Sequence, residues 1–102
     1  MGFQVFLSKD ALSDLERIVA YIAPHNPVAA RRLGDDLLDA AFSLSNMPGR
    51  GRMVPEFRRP ELREVVVRSH RVIYRIQENE ECLEIVRFWH AARGFPHIPF
   101  TL

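Results

Sequence analysis

Two apolar stripes at helical spacing follow one another in the first half of the chain, and they constrain the fold more than any other feature. Apolar residues recur every three or four positions, while charged residues such as Asp14 occupy the other side, which predicts amphipathic helices near residues 8–24 and 27–46. Ser8 and Asn26 stand where helix N-caps belong. Because only a short connection separates the stripes, they predict an antiparallel helical hairpin.

The segments outside these stripes have the composition of strands, being rich in β-branched and aromatic residues. They are FQVFL (residues 3–7), EVVVRSHRVIYRI (64–76) and CLEIVRFW (82–89). We interpret the middle segment as two strands joined at Ser69 and His70. Residues 47–63 carry three prolines and two glycines, so they predict a basic connecting loop without a regular element.

The order of these segments predicts a single α+β domain over residues 1–102. We expect an N-terminal strand, then the antiparallel helical hairpin packed on one face of the sheet, then a three-stranded antiparallel meander. The first strand can join the sheet at its centre or at an edge. Residues 95–102 contain two prolines and are expected to form an irregular tail.

Several broad classes of protein are excluded by the sequence. No stretch approaches the roughly 20 apolar residues that span a bilayer, and the N-terminus lacks the pattern of a secretory signal, which predicts a cytoplasmic protein. Cys82 is the only cysteine and is expected to act as a small buried hydrophobic residue. Net charge is only +1, but the ten arginines after residue 49 outnumber seven acids. This balance suits an acidic protein or a nucleic acid as partner, and for any single arginine it equally suits a solvated surface with ion pairs.

Metal and cofactor chemistry find no support in the spacing of the polar residues. The four histidines lie apart, without the close ligand pairs of a zinc site. PGRGR lacks the length and the lysine of a phosphate-binding P-loop, and no serine stands in a nucleophile motif. We therefore expect no metal and no cofactor.

Arginine and histidine near the strand ends remain as candidates for chemistry. Strand alternation places Arg71 and Arg75 on a basic face of the sheet, opposite an apolar face, while His90 and Arg93 lie at the end of the last strand. Cleavage of RNA by a ribose 2′-hydroxyl requires a base, a proton donor and cations around the phosphate, and these side chains offer such groups. A structural imidazole is nevertheless the commoner role for His90, and Arg93 can equally bind a carbonyl or a carboxylate.

The ordered set of segments resembles the RelE/ParE toxin superfamily, the toxins of bacterial type II toxin–antitoxin systems, and most closely its ParE branch. The resemblance spans residues 3–94 and is carried by ALSDLERIVAYIAPHNPVAARRL, LSNMPGRGRMVPE, LREVVVRSHRVIYRI and IVRFWHAAR. It implies a small toxin neutralised by a cognate antitoxin, whose C-terminal segment is disordered until it wraps around the toxin.

The two branches imply different activities, namely mRNA cleavage in the ribosomal A site for RelE and inhibition of DNA gyrase for ParE. A RelE-like site would use Arg71, His90 and Arg93. The strand before the turn offers no lysine, however, Ala91 stands where some relatives have tyrosine, and Phe95 cannot exchange a proton. The resemblance thus favours a gyrase inhibitor without assigned catalytic residues, with the ribosome-dependent mRNA endoribonuclease as the alternative. Contacts with the target or antitoxin are expected from Arg63, Arg68, Arg75, Arg87 and Trp89.

Overall fold

A helical hairpin lies on one face of a five-stranded sheet in the computed structural model, which describes residues 2–99. In chain order the elements are β1 (Gln4–Leu7), α1 (Lys9–Ile22), α2 (Pro27–Ser43), β2 (Arg52–Met53), β3 (Leu62–Val67), β4 (His70–Gln77) and β5 (Cys82–His90). Single 3-10 turns lie at Pro48–Arg50, Glu78–Glu80 and Ala91–Arg93. The strand order across the sheet is β1-β5-β4-β3-β2.

Both predicted helices are present, and the predicted N-caps are confirmed. The side-chain oxygens of Ser8 and Asn26 each accept a hydrogen bond of 3.0 Å from the backbone N–H three residues further on. The first helix ends just before Pro24, which cannot continue it. Gly34 of α2 lies against α1, where an added Cβ would come within 3.1 Å of Val19 Cγ2. Glycine at this position therefore lets the two helices approach closely.

The predicted antiparallel meander is confirmed for β3, β4 and β5, but the whole sheet is mixed. The first strand, whose position the sequence left open, lies at an edge and pairs parallel to β5. The turn between β3 and β4 comes one residue earlier than predicted, at Arg68 and Ser69, so that His70 already belongs to β4. Arg68 adopts a φ of 54°, a left-handed conformation that glycine would normally signal.

The prediction that residues 47–63 lack any regular element is wrong at residues 62–63, where β3 already begins, and at Arg52–Met53. These residues form β2, a short edge strand that pairs antiparallel with β3. The preceding residue, Gly51, passes so close to the sheet that an added Cβ would lie 2.6 Å from the Tyr74 hydroxyl oxygen. Tyr74 in turn accepts the Gly51 N–H at 2.9 Å and donates to the carbonyl oxygen of Pro48 at 2.7 Å. These contacts, which proline and glycine content does not indicate, bring the loop into register with β3.

Apolar side chains are buried on both faces of the sheet. Between the sheet and the helices lies a core that includes Leu37, Leu44, Val72, Tyr74, Ile85 and Phe88. The other face carries a second cluster of Val54, Leu62, Ile73, Val86, Trp89 and Ile98. The predicted alternation along β4 is therefore confirmed, but the face expected to be basic also holds an apolar cluster, covered by the loop before β3 and by the C-terminal segment.

Cys82 is buried, as predicted, with 6% of its surface exposed. Burial and the charges of Glu80 and Glu84 raise the pKa of its thiol.

Residues 95–99 of the predicted irregular tail contain no helix or strand, and residues 100–102 lie outside the described part of the chain. Within residues 2–99, neither helix is long and apolar enough to cross a membrane.

Candidate functional site

An open groove of about 590 Å³ lies between the helical hairpin and one end of the sheet. The groove is bounded by α1 and α2 on one side and by the β3–β4 turn and the end of β5 on the other. Its lining residues are Arg17, Ile18, Tyr21, Ile22, Leu33, Arg68, Ser69, His70, His90 and Arg93. None of these ten residues is acidic, and the apolar ones come from the helices. The groove thus combines an apolar wall with a basic rim.

Two histidines from neighbouring strands meet at the sheet side of the groove. His70 and His90 are direct partners in the β4–β5 ladder, and their rings contact edge to face with centroids 4.9 Å apart. His70 is buried, and its Nδ1 has no hydrogen-bond partner within residues 2–99. Burial lowers the pKa of His70, and the nearby charge of His90 lowers it further, which favours the neutral ring at neutral pH.

His90 differs from its neighbour because it is exposed and its Nδ1 is already engaged. This nitrogen accepts the backbone N–H of Ala92 at 3.0 Å, in the short turn that follows β5. In the neutral ring the proton therefore resides on Nε2. The sequence-based interpretation of His90 as a structural imidazole at a strand end agrees with this cap, although the exposed Nε2 leaves the ring able to bind a ligand.

The three arginines on the rim have different partners. Arg68 forms an ion pair with Asp36 of α2. The Arg93 guanidinium stacks on the indole of Trp89, 3.8 Å from the ring centroid, which restrains its position. Arg17 is 70% exposed in its side chain, donates to the Ser13 hydroxyl at 3.0 Å and has a long contact of 3.9 Å to the Asp14 carboxylate. Arg17 and Arg93 therefore carry positive charge to the groove that is largely available to a partner.

Arg71 lies on the opposite face of the sheet, because it follows His70 along β4. Only 8% of Arg71 is exposed. Its Nε donates to Glu64 at 2.5 Å, and its two terminal nitrogens donate to both carboxylate oxygens of Glu56 at 2.9 and 2.7 Å. These bonds lower the pKa of Glu56 and raise that of Arg71. Each of the three guanidinium nitrogens of Arg71 is thus hydrogen-bonded within the chain.

The candidate residues for RNA cleavage are consequently divided between two places. His90 and Arg93 line the same groove, whereas Arg71 is buried against two glutamates behind the sheet. A phosphate in the groove cannot contact Arg71 in this conformation. The sequence could not reveal this division, because both carboxylate partners come from segments that approach Arg71 only in the folded chain.

The five residues expected to contact a target or antitoxin also differ in exposure. Arg68 is exposed and lines the groove. Arg63 and Arg75 are partly buried and form hydrogen bonds within the chain. Arg87 and Trp89 are 7% and 4% exposed, so their side chains face the protein interior and do not offer a contact surface.

A buried aspartate on α1 escaped the sequence analysis. Asp14, assigned to the polar side of the helix, is 3% exposed and accepts two hydrogen bonds of 2.7 Å from Arg87. It also accepts the backbone N–H of Phe88 at 3.1 Å. The sequence does indicate this burial, because Asp14 stands three residues after Ala11 and four before Ile18, on the apolar stripe itself.

Over residues 2–99, no three side chains of histidine, cysteine, aspartate or glutamate are grouped as a metal site would require. The groove and its arginines therefore define the candidate site by shape and charge.

Comparison with known proteins identifies the family. The family model described as the ParE toxin of the type II toxin-antitoxin system, parDE, matches residues 5–95. The chain belongs to the ParE toxin family. It is therefore a type II toxin of the RelE/ParE superfamily, and the resemblance noted in its sequence is confirmed.

Curated relatives of this ParE-family chain carry the other branch name. Toxin RelE2 of Caulobacter vibrioides is 41% identical over 90 residues, covering 88% of this chain and 97% of the relative. Toxin RelE1 of the same organism is 33% identical over 92 residues, covering 88% and 95%.

Solved structures share the fold of this ParE-family chain at low sequence identity. The chromosomal ParDE system of P. aeruginosa matches with a TM-score of 0.72 at 16% identity, covering 86% of this chain and 95% of that one. The RelBE2 toxin–antitoxin complex of Mycobacterium tuberculosis matches with a TM-score of 0.67 at 22% identity, covering 88% and 99%. At these identities the likeness shows the fold alone.

Proposed function

We propose that this toxin inhibits DNA gyrase by binding it and that a cognate antitoxin neutralises the toxin. The observation that carries the proposal is the division of the candidate nuclease groups. Arg71, which a RelE-like site would place against the phosphate, is held by Glu56 and Glu64 behind the sheet. Extracting it would break two carboxylate contacts of a buried guanidinium, which is strongly unfavourable.

The groups left in the groove do not complete a site for general acid–base catalysis. His90 presents one free nitrogen to the groove, since its Nδ1 caps the following turn, and His70 is buried. Cleavage of RNA by its own 2′-hydroxyl needs both a base and a proton donor near the phosphate. A toxin that acts by binding has no such requirement, and the groove with its basic rim suits a role in recognition.

The antitoxin partner is supported by what surrounds the relatives in solved structures. The P. aeruginosa structure is a ParDE toxin–antitoxin system, and the M. tuberculosis structure is a toxin–antitoxin complex. We infer that this chain likewise pairs with an antitoxin, through surfaces that include exposed arginines such as Arg68.

A ribosome-dependent mRNA endoribonuclease is the alternative function, and two observations favour it. The curated Caulobacter relatives are named RelE toxins. In addition, His90 and Arg93 line one groove, as a proton-transfer group and a phosphate-binding cation would.

Parallel assays with purified toxin distinguish the two functions. We expect the toxin to inhibit supercoiling of relaxed plasmid by gyrase and to leave mRNA intact on translating ribosomes. Added antitoxin should restore supercoiling. The contrary result would be mRNA cleavage at the ribosomal A site, reduced by about 100-fold or more in His90→Ala, as loss of a general acid or base does. That result would overturn the gyrase proposal in favour of the endoribonuclease.

A further inference from the structure

We propose that the hairpin formed by β2, β3 and the loop between them binds the phosphate backbone of duplex DNA. Residues 50–63, which we term the basic hairpin, hold five arginines and two acids. The arginines are Arg50, Arg52, Arg58, Arg59 and Arg63. None of them lines the groove between the helices and the sheet. The inference goes beyond the gyrase proposal, because it concerns DNA itself.

Three of these arginines converge at the edge of the sheet. The guanidinium of Arg63 donates to the carbonyl oxygen of Gly51 at 2.9 Å. Gly51 separates Arg50 from Arg52 along the chain. Burial raises the pKa of Tyr74, and the charges of Arg63 and Arg50 oppose that rise, so both guanidiniums lie near the same hydroxyl. The strand order places this cluster at an outer edge, where a large partner can approach it.

The arginines of the basic hairpin flank both sides of the edge strand. Arg52 bonds Glu64 on the face of the sheet opposite the helices. Arg63 is the neighbour of Glu64 along β3, so its side chain leaves the sheet on the helix side. Arg58 and Arg59 are exposed in the loop that joins the two strands. A two-stranded ribbon with cations on both sides can meet the phosphates on both sides of the DNA major groove, which is wide enough to admit such a ribbon.

The acid that would most weaken this positive surface is turned inward. Both carboxylate oxygens of Glu56 accept hydrogen bonds from Arg71. Two arginines and two glutamates cancel within this network, namely Arg52, Arg71, Glu56 and Glu64. Outside it, the basic hairpin keeps four arginines and one acid, Glu61, which is a net charge of +3. The network also anchors the loop, so the charges are positioned before a partner arrives.

Duplex DNA suits the basic hairpin better than an acidic protein or a single strand does. Within residues 50–63, all of which the structure describes, Met53 is the one exposed large apolar residue, at 40%. Protein interfaces have an apolar core with aromatic anchors, and single strands stack their bases on exposed aromatic rings. Phe57 is partly buried and contacts Phe95 edge to face, so the hairpin itself offers neither feature. Duplex phosphates require only closely spaced cations, and the planar fork of arginine bonds them in pairs.

Fluorescence anisotropy with a labelled linear DNA duplex tests this surface. Wild-type toxin should bind with a Kd of about 10⁻⁴ to 10⁻⁶ M near physiological salt, and the logarithm of its affinity should fall linearly with that of the salt concentration. Arg50→Gln/Arg58→Gln should bind about tenfold more weakly or worse, with a salt slope smaller by about 2, since each lost phosphate contact removes about 0.9. Arg50→Lys/Arg58→Lys keeps both charges and should retain the wild-type slope.

A matched control removes two exposed charges elsewhere. Arg31→Gln/Arg32→Gln changes the net charge equally near the start of α2 and should bind the duplex like the wild type. Thermal unfolding checks that every variant is folded. Equal weakening by this control pair, or no binding of the duplex by the wild type at about 50 mM salt, overturns the inference. The second outcome would leave the arginines only the role of keeping the edge strand from joining other sheets.

Two further outcomes would assign the basic hairpin to another partner. Tighter binding of the single strand of the same sequence, lost in Phe95→Ala, would indicate unpaired nucleic acid and overturn the duplex assignment. Weaker binding of Arg50→Gln/Arg58→Gln to DNA-free gyrase, with no binding of the duplex by the wild type, would indicate an acidic protein surface and also overturn it. Gyrase is absent from the anisotropy assay, so that result is independent of the supercoiling experiment.

Discussion

At the scale of single residues, the chain uses buried ion pairs to position its loops. Glu64 is 1% exposed and bonds Arg71, while Arg52 of the edge strand donates to the same carboxylate at 2.7 Å. Burying such charges costs desolvation free energy that the pairing only offsets when the geometry is good. These ion pairs fix the position of the loop before β3, because Glu56 can form hydrogen bonds with Arg71 only when that loop lies across the sheet.

The buried histidine makes a residue-scale prediction about pH. Burial lowers the pKa of His70 in the folded state, so the unfolded chain binds the proton more readily. The free energy of unfolding should therefore fall as pH decreases below about 6.5, the usual histidine value. His70→Gln should reduce this decrease, measured as the urea midpoint at about pH 7.5 and pH 5.5. His25→Gln, on the exposed connection between the helices, is the matched control and should retain the wild-type slope.

At the scale of secondary-structure elements, α1 completes the edge of β5 that β1 leaves open. Pairing of β1 with β5 stops at Leu7 and Ile85. Beyond that point Ser8 donates its hydroxyl to the carbonyl oxygen of Val86 at 3.0 Å, and the Asp14 carboxylate accepts the next free N–H. The helix thus replaces a neighbouring strand with side-chain hydrogen bonds, which keeps the buried backbone groups satisfied.

The two helix caps give an element-scale prediction. Asn26→Ala removes only a cap hydrogen bond and should lower the free energy of unfolding by about 1 kcal/mol. Ser8→Ala removes the cap of α1 and also the bond to β5, so the expected loss is about 2 kcal/mol. Urea denaturation of both variants measures the difference. Equal losses would mean that the hydroxyl bond between Ser8 and Val86 contributes little.

At the scale of the whole molecule, both faces of the sheet are covered by other segments, so that most of the sheet lies in the interior. The helices cover one face, and the C-terminal segment crosses the other, where Arg87 donates to the carbonyl oxygen of His97 at 2.8 Å and Trp89 donates to that of Gly94 at 3.2 Å. Ile98 is 7% exposed in the second cluster. Arg71 lies on the face that this segment crosses, whereas the groove lies on the helix side of the sheet and stays open.

The burial of Ile98 predicts that the C-terminal segment contributes to the stability of the fold. Ile98→Ala should lower the free energy of unfolding by about 2 to 4 kcal/mol, because it leaves a cavity in the second cluster. Val28→Ala, which shortens an apolar residue that is 66% exposed, should change stability by less than about 0.5 kcal/mol. Chemical denaturation of the two variants provides the comparison. A small effect of Ile98→Ala would mean that the segment is not part of the stable core in solution.

The sequence by itself determined the helical hairpin, its two caps and the meander, because apolar spacing and helix caps act between neighbours along the chain. It indicated the superfamily through the resemblance of its ordered segments. Tertiary structure decided the edge position of β1, the pairing of β2, the burial of Asp14 and the separation of Arg71 from His90. Asp14 and Phe88 are 74 positions apart, and Arg71 and Glu56 are 15 apart. Such contacts depend on how whole elements pack, and local periodicity contains no information about which distant polar group a buried charge will meet.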